Sequence, residues 1–441
     1  MPKRVLSSEL EKQLGKIVTV AGWIYSIRNL GNIMFVILRD CKGLIQVVIT
    51  EKETIDLISK VQPETVVKAS GVVTKTEGKS QFDIEIKNAK IKLISPVKDP
   101  LPVIISKKEI DAQLDTILDY RPLTLRHPKI RAIFNIQASI LKAFADSMRK
   151  QGFVEFRSPV LMGVPSETGA DVFEVKYFQK KAYLAQSPQL YKQIMVGVFE
   201  RVFTITPVFR AEKHNTTRHL MELTQLDGEV GFIKDYNDIL DIVENTVRHI
   251  VKYIKENNKE DLELLDVDIP RLPKGKFPRV KVKEALKIIE KITGKSASRK
   301  EIDLDPEDER EIGKWALKKF NSDFIWLIGF KKDKNFYTWN NPEDPDESLS
   351  FDLEFRGLEV LSGTHRIHDY DKLLECMKKH GLSKDNYNQY LMAFKYGMPP
   401  EGGFSFGLER LTKQFLNLKN IREATLFPSD LTRISGQRFN D

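Results

Sequence analysis

Between residues 17 and 96 apolar and polar positions alternate in five short runs, IVTVAGWIYSI, IMFVILRD, GLIQVVIT, TVVKASGVVT and FDIEIKNAKIKLI. Successive side chains of a strand point to opposite faces, so each run predicts a strand buried on one side. Glycines and charged turns separate them, with a helical interruption around KETIDLISKVQ. Five such strands suit a small closed barrel over residues 1–104. The proline-bearing stretch SPVKDPLPVI ends it, and 105–130 reads as a linker or hinge.

From 131 the period changes. RAIFNIQASILKAFADSMRKQGF spaces its apolar residues three and four apart, which predicts an amphipathic helix stopped by Gly152. Strands and helices then follow in mixed order, without the regular alternation of a doubly wound parallel sheet. The expectation for 131–441 is therefore an α+β domain on a largely antiparallel sheet with flanking helices. Between about 257 and 335 charge density rises and the pattern weakens, as in DLDPEDEREIGK, and this span reads as a peripheral insertion.

At 441 residues and 41% hydrophobic content the chain can bury more than one core. It has no run of about 18 apolar residues, and MPKRVLSSELEKQLGK lacks the apolar stretch of a signal peptide. A soluble, cytoplasmic protein without membrane contact is expected. Cys41 and Cys376 are too few and too distant for a disulfide framework or a zinc knuckle, so any metal chemistry must use carboxylates. The formal net charge is +8, and residues 1–105 hold 16 Lys and Arg against 11 Asp and Glu, over half of that excess. A small five-stranded barrel is the architecture of the OB-fold, and its positive surplus permits a nucleic-acid partner without assigning one.

Ionic residues concentrate in FRAEKHNTTRHLMELTQLDGEV, 209–230, between the strand-like flanks RVFTITPVF and GFI. If Arg210 and Glu212 alternate on a strand, both face the same way. One such pair would be an ordinary ion pair, but Arg218 and His219 return on the second limb, and converging cations repel unless an anion joins them. In FDLEFRGLEVLSGTHRIHD, 351–369, a turn at Arg356-Gly357 brings Asp352 and Glu359 onto neighbouring strands. Two carboxylates there suit Mg²⁺, a hard cation that takes one or two of them beside phosphate oxygens. In GFSFGLERL, 403–411, Gly403 and Gly407 allow close backbone approach, and Arg410 sits near a helix start. Neither a phosphate-loop GxxxxGK[ST] nor a GxGxxG sequence is present, so ATP, if bound, lies on an antiparallel sheet between arginines.

These residues carry a resemblance. FRAEKHNTTRH resembles motif 2 of the class II aminoacyl-tRNA synthetases, GFSFGLERL motif 3, and GFVEFRSPVL, with Pro159, motif 1. AQSPQLYKQ together with FDLEFRGLEVLSG is similar to the compact archaeal and eukaryotic aspartyl-tRNA synthetases (subclass IIb), barrel included. The resemblance implies aspartate activation with ATP and transfer to tRNA(Asp), with tRNA(Asn) a further candidate acceptor, in a homodimer.

Residue by residue, it implies that Arg210 holds the α-phosphate and the substrate carboxylate, and that Arg410 lies on the adenine and reaches the γ-phosphate. Glu212 and His219 would help hold the adenine and the bent triphosphate, with Arg218, Leu220 and Gly407 in the same ATP site. Asp352, Glu359 and Ser362 would bind Mg²⁺. Glu167 matches a loop that closes over the substrate. Ser187, Gln189, Ser362 and Asp227, the last a candidate for the α-ammonium, belong to the amino-acid pocket, where Lys192 and Arg366 grip the aspartate side chain. In the barrel, Arg28, Phe35, Gln46 and Glu85 would read the anticodon by stacking and hydrogen bonding.

A carboxylate satisfies two buried cations where an amide leaves them unpaired, which would separate aspartate from asparagine. Asparaginyl-tRNA synthetase and a non-catalytic RNA-binding relative are the rival readings. Three departures from the family pattern stand out: His365 beside the specificity arginine, which would make the pocket pH-sensitive, Leu223 near the adenine position, and Ser429 in the tail.

Overall fold

The computed structural model describes residues 4–77, 80–167, 171–213, 216–294, 304–332 and 335–439. The chain divides into two compact units, Met1–His127 and Pro128–Asp441.

In the first unit β1 (Ile17–Asn29), β2 (Met34–Arg39), β3 (Leu44–Ile49), β4 (Val66–Lys75) and β5 (Ile84–Ser95) close a barrel in the order β1-β2-β3-β5-β4, with α1 (Lys52–Ile58) between β3 and β4. The alternation read from the sequence is the packing. Val20, Ile24, Met34, Val36, Leu38, Val67, Ala69 and Val73 fill the interior, and the residues between them face out. Arg39 is buried at one end in a bidentate pair with Glu64, both contacts 2.8 Å. The expected linker 105–130 is more structured than its composition suggests. It holds α2 (Leu114–Asp119) and α3 (Arg121–Thr124), and His127 Nε2 lies 3.0 Å from the Lys107 carbonyl.

The second unit opens with α4 (Pro128–Lys150), three residues earlier than the periodicity predicts, burying Ala132, Ile136, Ile140, Ala143, Phe144 and Met148 along one face. Next come β6 (Val154–Glu155), then β7 (Leu161–Met162), β8 (Glu174–Tyr177) and β9 (Lys180–Leu184) as a small separate sheet, and α5 (Gln189–Phe199). The hairpin β10 (Arg201–Phe209) and β11 (Glu222–Gly231) precedes α6 (Tyr236–Asn257) and α7 (Lys259–Leu265). Then follow β12 (Arg279–Lys281), α8 (Val282–Thr293), α9 (Pro306–Phe320), β13 (Phe324–Ile328), β14 (Ser350–Phe355) and β15 (Glu359–His365). After β15 come α10 (Tyr370–Lys379), α11 (Asn388–Lys395), β16 (Glu401–Gly407) and α12 (Leu408–Phe415).

An eight-stranded sheet in the order β12-β13-β14-β15-β16-β11-β10-β6 organises the unit, antiparallel except at the β12–β13 and β10–β6 edges. One face carries the apolar core, where Phe144, Phe203, Phe404 and Phe406 meet edge to face. The span 257–335 is not wholly peripheral, which corrects its reading as an insertion. It supplies β12 and β13 to the sheet, and Trp326 on β13 is fully buried with its indole N–H donated to Glu244 at 3.1 Å. High charge density hid these strands because only three and five residues of them are regular.

Candidate active site

The second face of the sheet is polar, and strand register explains why. Asp227 pairs with Ser405, Ser405 with Ser362, and Ser362 with Asp352, a row crossing β11, β16, β15 and β14. The next row runs Glu229, Gly403, Thr364, Ser350. Glu359 and Ser362 are three apart and would face opposite ways on a regular strand. A bulge fixes this: Glu354 pairs with Glu359 and Leu353 with Leu361, so Val360 is extra and the parity resets. The turn feeding β15 is the expected one, with Arg356 and Gly357 both at positive φ (50° and 73°).

These rows floor a cavity of about 330 Å³. Every residue put forward for aspartate, ATP or catalysis lines it, from Glu167 and Ser187 on one side to Gly407 and Arg410 on the other. Of the metal set, Glu359 and Ser362 line the cavity and Asp352 does not, lying one strand away and 6% exposed. Arg210 and Glu212 follow β10 rather than lying on it, since the strand ends at Phe209; the same-face argument therefore fails although both reach the cavity. The turn expected at Asn215-Thr216-Thr217 lies partly outside the described residues, but Thr216 Oγ1 is 2.7 Å from His219 Nδ1.

The cations do not wait for a ligand anion; the protein provides carboxylates. Arg218 donates to both oxygens of Glu309 at 2.9 and 2.6 Å, and Arg410 lies 3.4 Å from Glu359. Arg210 stands 3.9 Å from Glu167. Burial works against its charge, but Glu167, Glu212 and Glu359 outweigh burial and raise its pKa above the ordinary value.

The most buried cluster corrects a second expectation. Lys192 and Arg366 are not a free pair: Glu229 bridges them, with Oε2 3.1 Å from Lys192 Nζ and Oε1 accepting from Arg366 Nε at 2.7 Å. Lys192 also donates to Asp227 Oδ1 at 2.8 Å and approaches the Phe404 carbonyl at 3.3 Å. Its donors are thus engaged within the protein. Arg366 turns Nε and Nη2 to Glu229, at 2.7 and 3.4 Å. Asp227 is held by Lys192 and by Ser405 Oγ at 3.1 Å, and burial keeps its pKa raised despite Lys192. Gly403 is required by this arrangement, because a Cβ there would sit 1.8 Å from Glu229 Oε2.

Burial raises Glu409, which lines the cavity next to Arg410, to about 7, although both its oxygens accept from the Thr224 N–H at 3.1 Å. His365 does not line the cavity. It stacks on Trp339 on the other side of β15, and burial depresses it to about 4, so it stays neutral near pH 7 and the expected pH-sensitivity from this histidine is not supported. Leu223 lines the cavity, and Ser429 is tied to Glu222 at 3.3 Å.

Glu309, Tyr337 and Glu409 were not singled out from the sequence, and Glu229, counted among the ionic residues of 209–230, was given no role. Glu229 had a signal, since Gln225, Asp227 and Glu229 share one face of β11. Glu309 had none, because only the tertiary fold brings α9 to the hairpin loop.

On the barrel, Arg28 pairs with Phe35 across β1 and β2, and Gln46 with Glu85 across β3 and β5, their side chains 2.7 Å apart. Phe35 lies between the fully buried Met34 and Val36 and so faces outward, half-buried. By strand alternation all four point away from the barrel interior, but Gln46 and Glu85 are buried on that outer side while Arg28 is exposed.

Residues 113–431 match the family of tRNA synthetases class II (D, K and N), and residues 18–94 the OB-fold nucleic acid binding domain. The aspartate–tRNA(Asp) ligase of Thermococcus kodakarensis is 41% identical over 438 residues, covering 97% of this chain and 98% of its own. The aspartate–tRNA(Asp/Asn) ligase of Thermus thermophilus is 40% identical over 433 residues, with 98% and 100% covered. Among solved structures, the asparaginyl-tRNA synthetase of Pyrococcus horikoshii complexed with asparaginyl-adenylate superposes with a TM-score of 0.90 at 32% identity over 98% of this chain and 100% of that one. The aspartyl-tRNA synthetase of Entamoeba histolytica gives 0.87 at 30% identity, over 98% and 93%. The chain belongs to the class II tRNA synthetase family of the D, K and N type, an α+β catalytic unit preceded by an OB-fold barrel.

Proposed function

We propose that this protein is an aspartate–tRNA ligase, which joins L-aspartate to ATP as aspartyl-adenylate and passes the aspartyl group to the 3′ end of tRNA(Asp). The observation that carries the reading is one polar cavity with an arginine at each part of the reaction: Arg366 deep among carboxylates, Arg210 centrally, Arg218 and Arg410 toward the triphosphate side. The aspartate carboxylate attacks the α-phosphorus in line and pyrophosphate leaves, so positioning and charge neutralisation carry the step and no protein nucleophile is needed. Arg210 orients the two reacting anions. Arg410 and Arg218 hold the departing phosphates, Arg218 exchanging Glu309 for phosphate oxygens. Glu212, His219, Leu220 and Gly407 shape the nucleotide end.

Glu359, Asp352 and Ser362 offer hard oxygen donors. Among the described residues no cluster of three or more His, Cys, Asp or Glu is spaced to cage a metal, which fits a cation shared with phosphate oxygens. Mg²⁺ bound there would neutralise triphosphate charge. Arg28, Phe35, Gln46 and Glu85 are proposed to meet the anticodon, and a cytoplasmic homodimer completes the reading. Among the described residues no helix is long and apolar enough to cross a membrane.

ATP–pyrophosphate exchange with aspartate or asparagine tests the amino acid. Exchange with aspartate alone supports the reading, and exchange with asparagine alone refutes it. Charging of separate tRNA(Asp) and tRNA(Asn) transcripts then defines the acceptor, and sedimentation reads the oligomer.

A further inference from the structure

Behind the amino-acid end of the cavity lies a second polar layer that the reaction does not touch. Gln189 lines the cavity; its Nε2 donates to Gln193 Oε1 at 2.8 Å, and Tyr390 OH donates to the same oxygen at 3.0 Å. Gln193 Nε2 in turn donates to Glu401 Oε1 at 2.9 Å. Gln193 and Glu401 are both fully buried. An amide reads identically either way round until a neighbour fixes it. Here Glu401 fixes it: with its proton on Oε2, unpartnered among the described residues, Oε1 is a carbonyl oxygen and can only accept. Its carboxyl oxygen accepts the Gln193 NH₂, so Gln193 Oε1 faces Gln189, which must answer with its own NH₂. The Gln189 carbonyl oxygen is then turned to the cavity, as a group that receives an ammonium must be.

Charge adds a second constraint. The ionisable groups facing Glu401 are Glu229 from β11, Lys192 from α5, Arg366 after β15 and Tyr390 from α11. Three ionised carboxylates, Asp227, Glu229 and Glu401, would outnumber two cations and repel the fourth carboxylate that the substrate brings. Glu401 Oε2 is buried and has no hydrogen-bond partner among the described residues, an arrangement a carboxylate tolerates poorly and a carboxylic acid better.

We propose that Glu401, held uncharged, is a positioning residue: through Gln193 it aims the Gln189 carbonyl at the substrate ammonium, and it withholds a third negative charge from the pocket that takes the substrate carboxylate. The inference rests on the aspartate reading above. Burial first, and then Glu229, raise the Glu401 pKa well above the ordinary carboxylate value, in keeping with it.

The test is steady-state ATP–pyrophosphate exchange by the full-length protein, measuring KM for aspartate, KM for ATP and kcat. Glu401→Gln preserves the acceptor oxygen and the missing charge, so its KM for aspartate should stay within about twofold of wild type. Glu401→Leu removes the acceptor and should raise that KM about tenfold, leaving KM for ATP and kcat nearly unchanged. Gln193→Leu should match it, and the double variant should be no worse than either alone.

A Glu401→Gln variant as impaired as Glu401→Leu would overturn the uncharged state. A Glu401→Leu variant with wild-type KM, or an additive double variant, would overturn the relay. Unchanged ATP constants and a single cooperative melt, even at a lower midpoint, separate these results from misfolding. Wild-type exchange with asparagine alone would instead refute the aspartate reading, independently of the comparison among variants.

Discussion

Glu229 is the residue on which the amino-acid end of the site turns. Its two oxygens hold Lys192 and Arg366 in register, and all three are nearly inaccessible to water. Removing one member of a buried ionic cluster leaves charges unpaired. Glu229→Ala should therefore destabilise the catalytic unit by about 3–5 kcal/mol and abolish detectable aspartate activation, read by thermal melting and exchange. Glu409 gives a pH signature. Its folded pKa of about 7 lies above the ordinary carboxyl value of 4.5, so the native state holds a proton that the unfolded chain releases as pH rises between them. Stability from this group is full below about 4.5 and is lost up to about 7, a span of roughly 3 kcal/mol. Glu409→Gln should flatten that part of the urea-unfolding profile. At this scale the sequence was informative where chemistry clusters along the chain, as in 209–230. It was uninformative about pairing: Lys192 and Arg366 were both expected to be free cations because their partner, Glu229, has to be brought by the sheet.

Elements set which residues share a face. Alternation made the barrel and the β10–β11 hairpin legible, because period two survives in their long strands. It failed at β15, where the extra residue Val360 shifts parity, and at β12 and β13, too short and too close to charged helices to show a pattern. Those two strands are integral. Trp326 packs edge to face on Phe351, and Phe324 stacks on Phe355 at 4.3 Å. Trp326→Ala should cost about 3–5 kcal/mol, measured by urea unfolding, a loss no peripheral insertion would produce.

Across the whole molecule the work is divided between units with separate cores. The proposed anticodon residues belong to one and the entire cavity to the other. Phe35→Ala should therefore weaken tRNA binding by about 1–3 kcal/mol in a filter-binding assay, with ATP–pyrophosphate exchange unaltered. Binding should also weaken steeply with added salt, as a chain of net charge +8 with its surplus concentrated in the barrel segment implies for a phosphate-rich partner.

Gly403 gives this division a heritable side. A methyl group at that position would take the space of the Glu229 carboxylate. The codon for a residue without a side chain thus guards the choice of amino acid. In a saturation library selected for growth on this enzyme alone, position 403 should tolerate as little change as the arginines themselves. A surviving replacement would be expected to bring a compensating change at 229, marking the two positions as one inherited unit.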